Sequence, residues 1–132
     1  MNLKISEIAN IQTGVVLSRK EAKKNQKIFQ KDQRLTLKAL GDDGFINKNE
    51  LENYNAKEKL DKSQTTQDGD VVLRLFSPLC PVLIGKETEG FVIPSQLAVL
   101  KVTNPEVILP SYLRWYLSQR EMQERVLFEE GG

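Results

Sequence analysis

Basic side chains are concentrated in one short stretch of the chain. Between Arg19 and Lys38 there are eight basic residues and two acidic ones, a local charge of +6 in a protein whose formal net charge is +1. The basic residues are Arg19, Lys20, Lys23, Lys24, Lys27, Lys31, Arg34 and Lys38. At this density they can present a positive field to a phosphate backbone. The alternative is a solvated loop or helix face, which charge alone favours.

The residue types that most often support catalysis are missing. The chain has no histidine, which removes the usual general base near neutral pH and the commonest transition-metal ligand. Its single cysteine, Cys80, excludes an intramolecular disulfide and a zinc knuckle, and is predicted to be a buried structural thiol. No serine has a histidine to activate it, and no carboxylates are paired by spacing for acid-base chemistry. The composition predicts a binding module that is not an enzyme and needs no cofactor.

Two stretches partly imitate ligand-binding motifs. Residues 39–50 follow the later positions of a calcium-binding EF-hand, but Ala39 and Gly41 stand where that loop requires side-chain oxygens. A phosphate-binding P-loop would need a glycine in place of Cys80 and a hydroxyl residue in place of Glu87. Neither calcium nor nucleotide binding is expected.

The elements that must position the basic residues follow from the hydrophobic pattern. It predicts one α+β domain over residues 1–132, with a twisted, mostly antiparallel β-sheet or partial barrel, a short N-terminal helix and a longer C-terminal helix. The C-terminal helix is predicted at about 110–128, opened by Pro110. No run approaches the ~18 apolar residues of a membrane span, and the first residues lack a signal-peptide core, so a cytoplasmic protein without membrane contact is expected.

The hydrophobic pattern also predicts the individual elements. A helical turn at Leu3 to Ile8 leads into a strand that reaches Gly14 and continues through Leu17. A half-buried strand is predicted around Gln33 to Leu40, and a long connection from Asn47 to Gln67, with one helical turn near residues 56–60 and Tyr54 as an anchor. Further strands are predicted at 71–76, 82–84, 91–93 and 97–102, with a turn at residues 68–70 and a hairpin loop at Gly85 to Gly90.

Three blocks of sequence carry a family resemblance. The first is LKISEIANIQTG at residues 3–14, the second comprises QDGDVVLR at 67–74 and FVIPSQLAVLK at 91–101, and the third is LPSYLRWYLS at 109–118. Their order and separation resemble the target recognition domain of the specificity subunit of type I restriction-modification systems. The resemblance runs nearly end to end.

The resemblance implies that the domain reads one half of a split target in double-stranded DNA, while methyltransferase (M) and restriction (R) subunits act as its partners. In the family, two such domains are separated by long helices that form a coiled coil and dock the methyltransferase. Here one domain is present and the spacer helix expected after Glu129 to Gly132 is missing. A trimmed fragment, a truncated gene or a half-subunit that pairs with a second half-subunit would each have this form.

By that resemblance we expect phosphate contacts from a mobile basic loop and its extensions. The residues are Arg19, Lys20, Lys23, Lys24 and Lys27, extended by Arg34 and Lys38, with Lys86 at a hairpin tip as a further candidate. Arg74 is either a groove-facing reader or an ordinary residue on the exposed face of a sheet. Ser95 and Gln96 either reach a base edge or stabilise a turn.

Two rival functions remain open. A protein-interaction domain acting through its C-terminal helix would not bind DNA, and reversing the charge of Lys23 and Lys24 would leave its function intact. An enzyme with an unobvious site would turn over without added subunits. Trp115 and Tyr116 are predicted to pack the helix and not to act as stacking platforms.

Overall fold

The computed structural model describes residues 9–76, 78–103, 106 and 109–119. Its strands are β1 (Ala9–Thr13), β2 (Gln30–Arg34), β3 (Glu52–Ala56), β4 (Val71–Arg74), β5 (Val82–Leu83) and β6 (Leu97–Val102), and its helices are α1 (Leu17–Lys20) and α2 (Pro110–Ser118). The predicted α+β class is confirmed, and the sheets are open and do not close into a barrel. The predicted turn at Leu3 to Ile8, and the part of the C-terminal helix predicted at 120–128, lie outside the described residues.

The larger sheet has four antiparallel strands in the order β1-β6-β4-β5. Strand β6 alternates its buried side chains between two layers, as the two-residue period of a strand requires. Leu100 packs with Leu113 and Leu117 of α2 on one side of the sheet. Val99 packs with Leu35 on the other side. The sheet is therefore covered by α2 on one face and by the segment that follows β2 on the other.

The smaller sheet, called the ribbon below, consists of β2 and β3 paired antiparallel, with Arg34 opposite Glu52. Its inner face carries Tyr54 and Ala56, which pack against Val92. Both outer edges bond to neighbouring chain. The amide of Val92 donates to Gln33 O and that of Leu35 to Val92 O, each at 2.9 Å, and the amide of Ala22 donates to Asn55 O at 2.8 Å. The ribbon is thus held in the fold by its edges and one face.

The strand predicted over residues 33–40 is wrong beyond Arg34. Leu35 and Ala39 are both buried, and the chain between them forms a 3-10 turn at Leu37–Ala39, closed by a 3.0 Å bond from Ala39 N to Thr36 O. The alternation of Leu35, Leu37 and Ala39 is too short to separate these two structures. The side that each residue buries is set by contacts with the larger sheet.

The long connection predicted from Asn47 to Gln67 contains β3, and the helical turn predicted near Ala56 is wrong. Strand β3 reads Glu-Asn-Tyr-Asn-Ala, and asparagine and glutamate have low strand propensity. Pairing with β2 and burial of Tyr54 overcome that preference. The role of Tyr54 as an anchor is confirmed, because it is 1% exposed and its hydroxyl donates to Leu17 O at 2.6 Å.

Strand β1 ends immediately before Gly14, where two parts of the backbone nearly touch. A Cβ atom on Gly14 would lie 2.1 Å from the carbonyl oxygen of Pro94 and 2.2 Å from that of Ile93. Val15 then bonds to Ile93 O at 2.8 Å, and Leu17 begins helix α1. The predicted continuation of the strand through Leu17 is therefore wrong.

The hairpin predicted at Gly85 to Gly90 is also wrong. This loop contains a 3-10 turn at Lys86–Thr88 and leads to Val92. Val92 forms β-bridges with Arg34 and Thr65 and does not pair with β5, as a hairpin would require.

The turn at residues 68–70 is confirmed by Gly69 at φ 90°, a region that favours glycine. Strand β6 begins and ends as predicted, whereas β4 ends at Arg74 and leaves Leu75 and Phe76 exposed.

One ion pair is largely buried in the larger sheet. Asp70, which is 4% exposed, accepts bonds from Lys101 Nζ at 2.8 Å and from Gln67 N at 2.9 Å. Burial raises the pKa of Asp70, and the bond from Lys101 lowers it by less. The pair links the start of β4 to β6. Cys80 is only partly buried, at the edge of the core layer that contains Val99 and Leu35, so its predicted full burial is wrong.

Candidate nucleic-acid interface

The segment Arg19 to Lys38, called the cationic segment below, first runs beside the ribbon and then forms its strand β2. It starts in helix α1, and the amide of Ala22 then bonds to β3. A tight turn follows, in which Gln26 N donates to Lys23 O at 2.9 Å and Lys23 N donates to Gln26 Oε1 at 3.0 Å. The chain returns to the ribbon at Phe29, whose amide donates to Ala56 O at 2.9 Å. The predicted basic loop is therefore confined to residues 23–28 and is tied to the ribbon at both ends.

Two of the eight basic residues of the cationic segment are neutralised by ion pairs. Lys20 Nζ lies 2.7 Å from a carboxylate oxygen of Glu58, and Arg34 pairs with Glu52 across the ribbon. The bond from Lys20 lowers the pKa of Glu58, which keeps that carboxylate charged. The other six are exposed and make no ion pair with any described residue: Arg19, Lys23, Lys24, Lys27, Lys31 and Lys38. These six are called the free cations below.

The outer face of the ribbon carries four exposed polar side chains, and no residue that the structure describes covers it. Lys31 stands opposite Asn55, and Gln33 stands opposite Asn53, all four exposed. We call these four residues the amide face. They line an open cavity of about 640 Å³ that is bordered by Ile28 and by Gly90, Phe91 and Asp32. Asp32 accepts a bond from Gln30 Nε2 at 2.8 Å, while burial raises its pKa.

Sequence reasoning did not select Gln33, Asn53 or Asn55 as site residues. The alternation of Asn53, Tyr54 and Asn55 was the sequence signal for this site, because two polar residues on either side of one aromatic residue indicate a strand with one buried and one solvent-exposed face. The partner of that strand lies about twenty residues earlier in the chain. Only the register of β2 with β3 brings the three amides together.

A second cleft, of about 500 Å³, lies at the Arg34 end of the ribbon. Three of the predicted site residues line it: Arg34, Lys38 and Gln96. Glu50 and Glu52 line the same cleft, and Arg34 is paired with Glu52. The formal charges that line this cleft therefore cancel.

Arg74 supports this cleft from beneath. Its Nη2 donates to Leu37 O at 3.3 Å, and its guanidinium lies 5.8 Å from the centre of the Phe76 ring. The Nε atom is buried and has no hydrogen-bond partner among the described residues. Arg74 is half-buried and bonds to the 3-10 turn at Leu37–Ala39, so its side chain stabilises the backbone of a segment that lines the cleft.

Ser95 and Gln96 occupy the middle of a turn closed by a 3.1 Å bond from Leu97 N to Pro94 O. Neither side chain forms a hydrogen bond within the part of the chain that the structure describes. The turn is thus closed by backbone alone, and the Gln96 amide stands exposed at the cleft.

Lys86 is exposed in the loop between β5 and Val92 and lines neither cavity. The buried hydroxyl of Thr66 holds this loop by donating to Thr88 O at 2.6 Å and accepting from Phe91 N at 3.0 Å. Glu87 and Glu89 follow Lys86, so residues 85–90 carry a local charge of -1. Lys86 shares neither cavity with Lys31 or Lys38, the two free cations that line one.

Tyr54 connects helix α1, in which the cationic segment begins, to the ribbon. Its hydroxyl holds the carbonyl of Leu17 in α1, while its ring forms the inner face of the ribbon. Burial, reinforced by the charge of Glu21, raises the pKa of Tyr54 to about 12. The phenol is therefore protonated and remains a donor at physiological pH.

Helix α2 presents a group of exposed apolar residues. Leu109, Tyr112 and Trp115 are 61%, 52% and 50% exposed, and the rings of Tyr112 and Trp115 lie 5.7 Å apart. The prediction that Trp115 packs the helix is wrong, because Leu113 and Leu117 make those contacts. Tyr116 does pack against the core layer that contains Leu100, Leu113 and Leu117, as predicted.

Comparison with known proteins adds no relative: no protein-family model matches the chain, and no curated protein matches it significantly. Within the described ranges, no cluster of three histidine, cysteine, aspartate or glutamate side chains could hold a metal ion. None of the described helices has the length and apolar character needed to cross a bilayer.

Proposed function

We propose that this chain recognises the sequence of double-stranded DNA. In this proposal it acts in the cytoplasm as the non-catalytic specificity component of a type I restriction-modification complex and directs partner methyltransferase and endonuclease subunits. The assignment to that system rests on the resemblance of the sequence. The DNA-binding part rests on one observation: the free cations belong to the segment that borders an uncovered, amide-bearing face.

The proposed division of labour follows from the chemistry of the two groups. Exposed lysine and arginine side chains bind phosphates irrespective of sequence, and side chains that reach the grooves distinguish the bases. Lys20 and Arg34 are expected to contribute less to phosphate binding than the free cations, because each already pairs with a glutamate. Gln96 is the best placed of the predicted base-reading residues, since its amide is exposed and unbonded at the cleft.

A second candidate function is a protein-interaction domain that acts through helix α2 and does not bind DNA. The exposed Leu109, Tyr112 and Trp115 favour it, because aromatic side chains are enriched in the buried centres of protein interfaces. In the type I proposal the same surface is available for a partner subunit or a second half-subunit. The two candidates therefore differ in DNA binding and not in the use of this helix.

Selection from a randomised duplex library tests the proposal. The chain is incubated with the library at several salt concentrations, with and without a cognate methyltransferase subunit, and the bound duplexes are sequenced. We expect enrichment of a short sequence, weakly with the chain alone and strongly with the methyltransferase. Enrichment of no sequence under either condition would refute DNA recognition and leave the interaction domain.

A further inference from the structure

We infer that the amide face reads adenine in the major groove, through the side chains of Gln33, Asn53 and Asn55. This inference rests on the proposed function and names the class of base that this surface selects. The starting observation is chemical. An asparagine or glutamine amide offers one donor and one acceptor side by side, which matches the N7 acceptor and N6 donor of adenine.

The three amides are available for such pairing. None of them forms a side-chain hydrogen bond with any part of the chain that the structure describes. Other amides nearby are occupied: Gln26 and Gln64 accept bonds from backbone amides, and Gln30 and Gln67 donate to neighbouring oxygens. When the amides of Gln33, Asn53 and Asn55 bind a base edge, they therefore give up hydrogen bonds to water and none to a described protein group.

The register spaces these side chains suitably for successive bases. Gln33 and Asn53 face each other, and cross-strand partners have Cβ atoms about 5 Å apart. The pair Lys31 and Asn55 lies two residues along the ribbon, a distance of about 7 Å at the rise of an antiparallel strand. Consecutive bases are stacked about 3.4 Å apart, so the two pairs are about two base steps apart.

The surroundings of the face favour a nucleic-acid occupant. The amide face belongs to a two-stranded antiparallel ribbon, and the ~12 Å major groove admits a two-stranded ribbon. A further chain segment bonds to each edge, Val92 beside β2 and Ala22 beside β3, so the side chains of the face, and not the edges of the ribbon, would reach the base edges. Lys31 lies on the face, where it can meet a phosphate beside the bases, and the loop 23–28, which carries Lys23, Lys24 and Lys27, ends at the rim with Ile28.

The experiment uses the full chain, with the methyltransferase if that is needed, and the duplex enriched from the randomised library. Each adenine is replaced in turn by 7-deazaadenine, which removes the N7 acceptor and keeps base pairing and the minor groove unchanged. We expect weaker binding by about 5- to 150-fold at one or two positions, the range for a lost bidentate contact. This arm leaves the protein unaltered, so it does not depend on whether a variant folds.

Protein variants then assign the contacts. Gln33→Ala, Asn53→Ala and Asn55→Ala are compared, and at least one of them should relax the adenine preference at each 7-deazaadenine-sensitive position, while affinity for random-sequence duplex stays unchanged. Gln12→Ala, which removes an exposed amide from β1 of the other sheet, is the matched control and should leave the preference intact.

The outcomes separate the two proposals. A selected sequence that is insensitive to 7-deazaadenine, or a base preference that survives Gln33→Ala, Asn53→Ala and Asn55→Ala, would overturn adenine reading by this face and leave DNA recognition standing. If the wild-type chain selects no sequence at all, DNA recognition and adenine reading both fall.

Discussion

The most direct test of the cationic segment is the salt dependence of DNA binding after removal of two of its lysines. Lys23 and Lys24 lie in the turn beside the ribbon, are exposed, and pair with no described acidic residue. The turn is closed by backbone bonds and by Gln26, so the change Lys23→Ala/Lys24→Ala leaves its structure intact. The free energy of unfolding is expected to change by no more than about 0.5 kcal/mol, as for most surface substitutions.

The magnitude follows from counting the free cations. Each phosphate neutralised contributes about -0.9 to the slope of log K against log salt, so six contacts give a slope of about -5.4. Between 50 and 200 mM salt the affinity of the wild-type chain would then fall about 1,800-fold. Removing two contacts reduces the steepness of the slope by about 1.8, and the same change of salt would weaken the variant only about 150-fold.

Fluorescence anisotropy with a labelled duplex, titrated at four or more salt concentrations, measures both slopes. The matched control is Lys59→Ala/Lys62→Ala, which removes the same charge from a different region. Leu60 lies between those lysines and packs against the inner face of the ribbon, so they stand away from the amide face. Equal slopes for wild type and the Lys23/Lys24 variant, or equal effects of the two double variants, would refute the assigned role of the loop.

Three further changes test the fold that supports the interface. Gly14→Ala should lower the free energy of unfolding by about 2 kcal/mol or more, because a methyl group there overlaps backbone carbonyls. In urea denaturation, a change below ~0.5 kcal/mol, which is typical of a surface substitution, would contradict the close approach of the two backbones. Tyr54→Phe should cost about 1–2 kcal/mol at pH 7 by leaving the Leu17 carbonyl without its donor. Because the folded pKa of about 12 exceeds the unfolded value of 10.0, this difference should shrink as the pH rises from 10 to 12, and a constant difference would argue against a buried phenol. For Asp70, burial raises the folded pKa above 3.8, so its contribution to stability is complete below pH 3.8 and is lost as the pH rises through the folded pKa. Asp70→Asn should therefore gain stability relative to wild type across that window, and a pH-independent difference in denaturation would contradict the shift.

Several elements could be predicted from local sequence because local chemistry determines them. Pro110 begins α2, because proline suits the first turn of a helix. Strand β6 is apolar on both faces and its bounds follow from that run alone. The charge of the cationic segment is likewise a property of composition, so the residue types establish its presence but not its path.

The tertiary structure decided which of those charges remain free and what they border. Lys20 pairs with Glu58, 38 residues away, and Arg34 with Glu52, 18 residues away; such pairs depend on chain crossings that no local pattern encodes. The amide face has the same origin, since β3 has weak strand propensity and forms by pairing with β2. Sequence alone thus determined that a strongly positive segment exists. Long-range strand pairing determined the surface that it borders, because a strand of mixed polarity gains its stability from the neighbours it packs against.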